Sequence, residues 1–330
     1  MSRPDNYPTP SERLKAVTDK LEAGIKELFD SDRYAAYLQA MSKFHRYSYG
    51  NIILILSQYP SASQVAGFHG WKKFGRSVKK GERGIQILAP CSYTKWEQRD
   101  KADPATQSPV LDSNGQPVQE IVGVKKQGYK VEYVFDVTQT EGRELPSTHR
   151  ELTGDVEQYN AICAALKDTA PVPIRFAPLP PGVFGSYSHL EQHITIQPEM
   201  SQMQTLKTMI HEVAHSKLHA LPVENGAIVG QHKKGRPARE IEAESVAYVV
   251  CQHFGIDTSE YSFGYMAEWA RDREMTVLKA SLGCIRETAA EIIGSIEEKC
   301  PELAPPKPEP VQEEQAPRRP RHKRRAAPAR

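Results

Sequence analysis

His211, Glu212 and His215, in the run His-Glu-Val-Ala-His, have the residue types and spacing of a zinc-dependent hydrolase site. Residues four apart on a helix stand one turn above another on the same face, so the two imidazoles can offer one nitrogen each to a single tetrahedral Zn2+ ion. Glu212, beside them, is placed to take a proton from water and deliver it to a leaving amine. The chemistry implied is amide hydrolysis on a peptide or protein substrate. A third ligand is required. The metzincin pattern would put a histidine six residues beyond His215, where Leu221 stands, so that class is excluded.

Glu240-Ile241-Glu242-Ala243-Glu244 supplies carboxylates from another helix. Helical periodicity puts Glu240, Ala243, Glu244 and Ala247 on one face and turns Glu242 elsewhere, and the small alanines permit close approach to the histidine helix. Glu240 can then complete the metal site with Glu244 bonded behind a ligand imidazole, or the two can exchange roles. His219, one turn past His215, is expected beside the ligands rather than among them. Tyr187, His189 and His193 read as strand and loop packing.

Lys43, Arg46, Lys72, Lys73, Arg76, Lys79, Lys80 and Arg83 form a second constellation, interleaved with Tyr49, Phe68, Trp71 and other aromatics. Residues 43–95 hold nine Lys/Arg against the single acid Glu82. Cations can follow a phosphate backbone while aromatic faces stack bases, which describes a single-stranded DNA surface; aromatics in a core under solvated lysines would read the same.

Several elements must position these groups. Thr9, Pro10 and Glu12 read as a helix start, continued by Leu14, Val17, Leu21, Ile25 and Leu28 at helical spacing. A second helix is expected over 32–41, and the apolar run 51–58 fits a helix or a buried strand equally. Strands are expected at 85–89 and 129–135, joined by a long exposed hairpin loop over 98–120 with Asn114-Gly115 as its turn. After a connector at 138–152 come a helix at 155–167, short strands at 172–176, 183–187 and 193–196, and helices at 203–219, 237–254 and 274–298. From Pro301 onward eight prolines and dense charge replace apolar periodicity, so a disordered basic tail is expected.

Composition sets the outer limits. The chain is 330 residues long, 39% hydrophobic and 25% charged, with a net charge of +2. That length favours two domains, and no apolar run reaches the ~20 residues of a membrane span. No membrane partner is expected, and the opening Met1-Ser2-Arg3-Pro4-Asp5 lacks a signal core, so the expected location is cytoplasmic. Five scattered cysteines without a Cys-x-x-Cys pair exclude a disulfide framework and a cysteine zinc site.

Taken together these segments resemble the ArdC-type antirestriction proteins, over most of residues 10–298. The resemblance is carried by Tyr49-Gly50-Asn51 with its following apolar run, by Trp71 to Pro90, by Val134 to Thr140, by the histidine motif with Glu240 to Tyr248, and by Ser262 to Trp269. It implies an α+β architecture: a small single-stranded-DNA-binding domain at 10–145, a zincin-like (gluzincin-type) metallopeptidase domain related to ImmA/IrrE at 150–300, and a Pro/Arg-rich tail at 301–330. It implies DNA contacts from Asn51 as well as from the basic aromatic segment, favours Glu240 over Glu244 as third ligand, and implies carriage on a plasmid or conjugative element. The alternatives are a DNA-binding antirestriction protein with structural or vestigial zinc, and an ImmA-like regulatory peptidase that cleaves a repressor.

Overall fold

The computed structural model describes residues 8–28, 33–103, 108–145, 156–256, 270 and 273–304. Residues 146–152 of the connector expected at 138–152, the Ser262–Trp269 segment and all but the first four residues of the expected tail lie outside them.

The architecture is mixed α+β. Helix α1 (Pro10–Leu28) starts at a reciprocal cap, in which Thr9 N donates to Glu12 Oε2 at 2.6 Å and Glu12 N donates to Thr9 Oγ1 at 3.2 Å. Helix α2 spans Arg33–Phe44 and α3 spans Tyr49–Gln58. The 51–58 run is therefore helical. Ser48 caps it by accepting from Asn51 N, and Ile52 to Ile55 are all buried, so no periodic exposed face marks the helix in the sequence.

Strand β1 (Val65–Gly67), helix α4 (Phe68–Lys73) and β2 (Arg76–Val78) lead to β3 (Ile85–Asp100) and β4 (Gln119–Asp136). β4 pairs antiparallel with both β1 and β3, and the β3–β4 register is unbroken from Ile85↔Val134 to Asp100↔Gln119. Both strands run well past their expected bounds, β3 beyond 89 and β4 from well before 129, while the connecting loop expected over 98–120 lies between Asp100 and Gln119. Away from its root the ribbon is largely solvent-exposed, so its pairing needs no apolar alternation and leaves none to read. A 3-10 turn (Val137–Gln139) leads to β5 (Thr140–Gly142), which pairs with β2.

In the second half, α5 (Val156–Thr169) precedes β6 (Ile174–Phe176), β7 (Gly185–Ser188) and β8 (His193–Ile196), arranged β6-β8-β7. Then follow α6 (Gln202–Leu218), a hairpin of β9 (Val223–Glu224) and β10 (Ala227–Ile228), α7 (Arg236–His253) and α8 (Met275–Lys299). Asn225 and Gly226, both at positive φ, form the tight turn of that hairpin.

One continuous apolar cluster joins Tyr37, Met41, Ile52 and Ile55 from the first half to Ile162, Ile210, Val246, Val250 and Ile292 from the second. Tyr34 Oη and Ser245 Oγ, 2.8 Å apart, are bonded inside it. No described helix is long and apolar enough to cross a membrane.

Candidate functional site

Helix α6 carries the histidine motif from a Ser201 cap that accepts from Gln204 N. Its inner face is buried through Leu206, Met209, Ile210 and Val213, which fixes the rotation of the helix and turns His211 and His215 toward α7. Their Nε2 atoms stand 3.1 Å apart. Glu240, in the first turns of α7, brings Oε2 to 3.3 Å from His215 Nε2 and 3.8 Å from His211 Nε2. Ligands bound ~2.0–2.1 Å from a tetrahedral ion lie about 3.3 Å from one another, so these three donors have the separation that an ion requires. The His211 and His215 imidazoles beside it hold the Glu240 carboxyl well below the usual carboxylate range. Burial lowers His215 in turn, keeping the imidazole neutral with a lone pair to offer.

Glu212 is 8% exposed, and burial raises its carboxyl above the usual value, with the Glu240 charge adding to the effect and a Tyr187 backbone bond opposing it. Strand β7 runs close against it. A Cβ on Gly185 would meet Thr208 Cγ2 at 2.5 Å and Glu212 Oε1 at 2.9 Å, so only glycine lets this edge strand reach α6. Beside Glu212 opens a cavity of about 420 Å³, lined by Phe184, Lys207, His211 and Glu244 among others.

Behind His215 lies a relay that helical periodicity did not reveal. His215 Nδ1 and His219 Nδ1 are 3.0 Å apart, and His219 Nε2 is 3.1 Å from Glu242 Oε2. Lys234 also bonds the Glu242 carboxylate. One proton arrangement satisfies every group: His215 carries its proton on Nδ1 and donates to His219, and His219 donates from Nε2 to Glu242. Burial alone would raise Glu242, yet the bonds from His219 and Lys234 keep its carboxyl below the ordinary value. The carboxylate behind His219 is thus Glu242, and Glu244 stands on the cavity wall. His219 is the C-cap of α6 and has left helical geometry, so its ring reaches a side of α7 that a face count assigns elsewhere.

The expected DNA contacts divide sharply. Trp71 is 2% exposed and its Nε1 donates to Phe135 O at 2.9 Å, which leaves no ring face for a base. Asn51 is buried and clamps the edge of β3 through both the N and O of Leu88. Tyr49 packs into the core margin, and Arg76 is taken up by Thr140, Gly142 and Arg143. These four hold the fold together. Lys72, Lys73, Lys79, Lys80 and Arg83 are exposed, Lys72 over the Phe68 ring and Lys79 bonded to Thr138 O. Arg46, also exposed, pairs with Glu297 at 3.3 Å.

Fold and donor cluster define an α+β protein with a two-histidine, one-carboxylate site between two helices. Residues 10–146 match the family model described as the N-terminal domain of anti-restriction factor ArdC, so that segment is a domain of this type. An uncharacterized protein of Bacillus anthracis, pXO2-81, is 29% identical over 88% of this chain and 52% of its own. The DNA primase TraC of Escherichia coli is 28% identical over 72% of this chain and 16% of its own. The chain thus spans about half the length of the first relative and far less of the second. Two crystal structures of the antirestriction ArdC protein from the R388 plasmid are also similar. The metal-free one is 19% identical with a TM-score of 0.40, covering 77% of this chain and 84% of that one. The Mn(II)-bound one is 18% identical with a TM-score of 0.45, covering 86% of this chain and 97% of that one.

Proposed function

We propose that this chain is an antirestriction protein of a mobile element that binds single-stranded DNA through residues 10–145 and hydrolyses peptide bonds at a zinc site. The observation carrying the enzymatic part is the convergence of His211 Nε2, His215 Nε2 and a Glu240 oxygen, with buried Glu212 beside them on an open cavity. Zinc in such a donor set supplies Lewis acidity, polarising a carbonyl and acidifying water. Everything else is done by side chains. Glu212, its carboxyl raised by burial, accepts a proton and returns it to the leaving amine. Edge strand β7 offers free backbone groups to an extended peptide. The relay from Glu242 through His219 holds the His215 ring in the tautomer that leaves Nε2 unprotonated.

Three donors leave a fourth position free, which favours catalysis over a closed structural site. The DNA and mobile-element parts rest on the ArdC domain match and on the exposed cations of 72–83, and the relatives' printed names, a primase and a pXO2 protein, agree with them. Metal analysis of the purified chain, with restriction-protection and peptide-cleavage assays on wild type and Glu212→Gln, tests the reading. Absence of zinc refutes the metal site. Full activity of Glu212→Gln in every assay refutes the hydrolase and leaves a structural ion.

A further inference from the structure

The β3–β4 ribbon has two unlike faces. Antiparallel pairing puts directly opposed residues on the same side, so Tyr133, Tyr129, Lys125, Ile121 and Trp96 share one face. Four of these are large and strongly exposed: Tyr133 at 41%, Tyr129 at 61%, Trp96 at 70% and Ile121 at 73%. The opposite face carries one exposed ring, Tyr93, among charges, with Glu97 paired to Lys95, Lys126 and Arg99. Near the root that opposite side also supplies Ile85, Ile87 and Val134 to the core. The aromatic face is covered by nothing in the described residues. A row of exposed rings is the unusual observation in a water-soluble surface, where single apolar residues need no explanation.

The rings are held in place rather than loose. A Cβ on Gly123 would meet Trp96 Cζ3 at 3.2 Å and Cη2 at 3.3 Å, so the indole lies across this glycine on the neighbouring strand. At the root, Gln86 Nε2 donates to Tyr133 Oη, and Gly84 packs against the Tyr133 ring. Gly84 closes the basic turn that contains Lys79, Lys80 and Arg83. Lys80, Arg83 and Lys125 make no ion pair among the described residues. The acids nearest this surface are occupied: Glu82 accepts from Gln139, and Asp100 from Gln119. From Tyr133 to the level of Trp96 the face runs ten residues of β4, on the order of 33 Å. Spaced rings with polar edges, flanked by uncommitted cations, match an unpaired nucleic-acid strand, whose bases stack on aromatic faces without demanding a sequence.

Resting on the single-stranded-DNA reading above, we infer that the strand lies along this ribbon face, stacked on Trp96, Tyr129 and Tyr133 and anchored at the Lys79–Arg83 turn, rather than on the Trp71 region. The site then stands apart from the metal cleft.

The test is fluorescence-anisotropy binding of the full chain to a labelled mixed-sequence oligonucleotide about 16 nucleotides long, single-stranded or duplex. It compares wild type, Trp96→Ser/Tyr129→Ser and Lys80→Glu/Arg83→Glu, with circular dichroism melts and sedimentation alongside. All four substituted side chains are exposed, so unchanged melts are expected. The double aromatic variant should bind single strands at least ~10-fold more weakly with little change in salt slope, and the charge variant should flatten that slope. Addition of the strand should quench a fluorescence component that Trp96→Phe removes. Wild-type binding that the aromatic variant leaves intact overturns the ribbon assignment while the DNA reading survives. A wild type that ignores single strands overturns both. Loss of a dimer in the aromatic variant, with DNA binding unchanged, would make the face a contact between copies and also overturn the assignment.

Discussion

His219 Nε2 lies 3.1 Å from Glu242 Oε2, and this buried bond sets the tautomer of His215 two groups away. Both partners are almost wholly out of solvent, His219 at 5% and Glu242 at 0%. Exchanging Glu242 for Gln removes the anion that the imidazole and Lys234 share. Partners behind metal ligands of this kind typically govern affinity by ~10–100-fold. Glu242→Gln should therefore weaken zinc binding by about that factor in a chelator-competition titration, with His211 and His215 intact. Unchanged affinity would show that the relay does not position His215.

Removing a ligand acts more severely. His211→Ala should abolish stoichiometric zinc in elemental analysis and remove the rise in melting temperature that added zinc gives wild type, since only a ligand bound to the folded state stabilises it. Glu244→Gln, on the cavity wall, should retain its zinc. Loss of the metal in Glu244→Gln would reverse the assignment of the third ligand.

Gly185 sets the distance between the edge strand and the Glu212 carboxylate. Gly185→Ala forces a methyl into Thr208 and Glu212, so the strand must shift. Expected are normal zinc content, a stability loss of ~1–3 kcal/mol in urea unfolding, and reduced peptide cleavage. Cleavage at the wild-type rate would show that the approach of β7 to Glu212 is unimportant.

Trp71→Ala is a packing change. With the indole buried and bonded to Phe135 O, truncation should cost ~3–5 kcal/mol, read as a lowered denaturation midpoint. A folded variant with unaltered stability would contradict the burial.

Acid should loosen the join between the two halves at His45. Burial, with the neighbouring His253 adding to it and Glu297 opposing, lowers its pKa from 6.5 to about 4, and His253 is itself bonded to Ser42 O and Glu297. The folded value is depressed, so the stability contributed is complete above pH 6.5 and is lost as the pH falls from there through 4. The loss amounts to up to about 3 kcal/mol. Urea midpoints of EDTA-treated protein should fall across that window, and His45→Gln should flatten the decline. A decline of equal size in His45→Gln would place its origin elsewhere.

Local chemistry was legible in the chain. The His211–His215 spacing, the Thr9–Glu12 cap and the proline near the start of α7 are short-range patterns, set by helical geometry within a few residues. A face count put Glu240 and Glu244 together toward a neighbouring helix, and the choice of Glu240 rested on the resemblance. What the chain did not disclose depends on contacts between distant segments. Whether Trp71 stacks on a ligand or fills a core is decided by the strand it packs against. The aromatic face of the ribbon exists only because Trp96 and Tyr129, far apart in sequence, fall on one side once β3 and β4 pair in register. Glu242 was assigned away from the site because it points off the Glu240 face. Only the packing of α6 against α7, with His219 turned at the helix end, brings that carboxylate behind the His215 imidazole, since periodicity describes one helix and never the partner it meets.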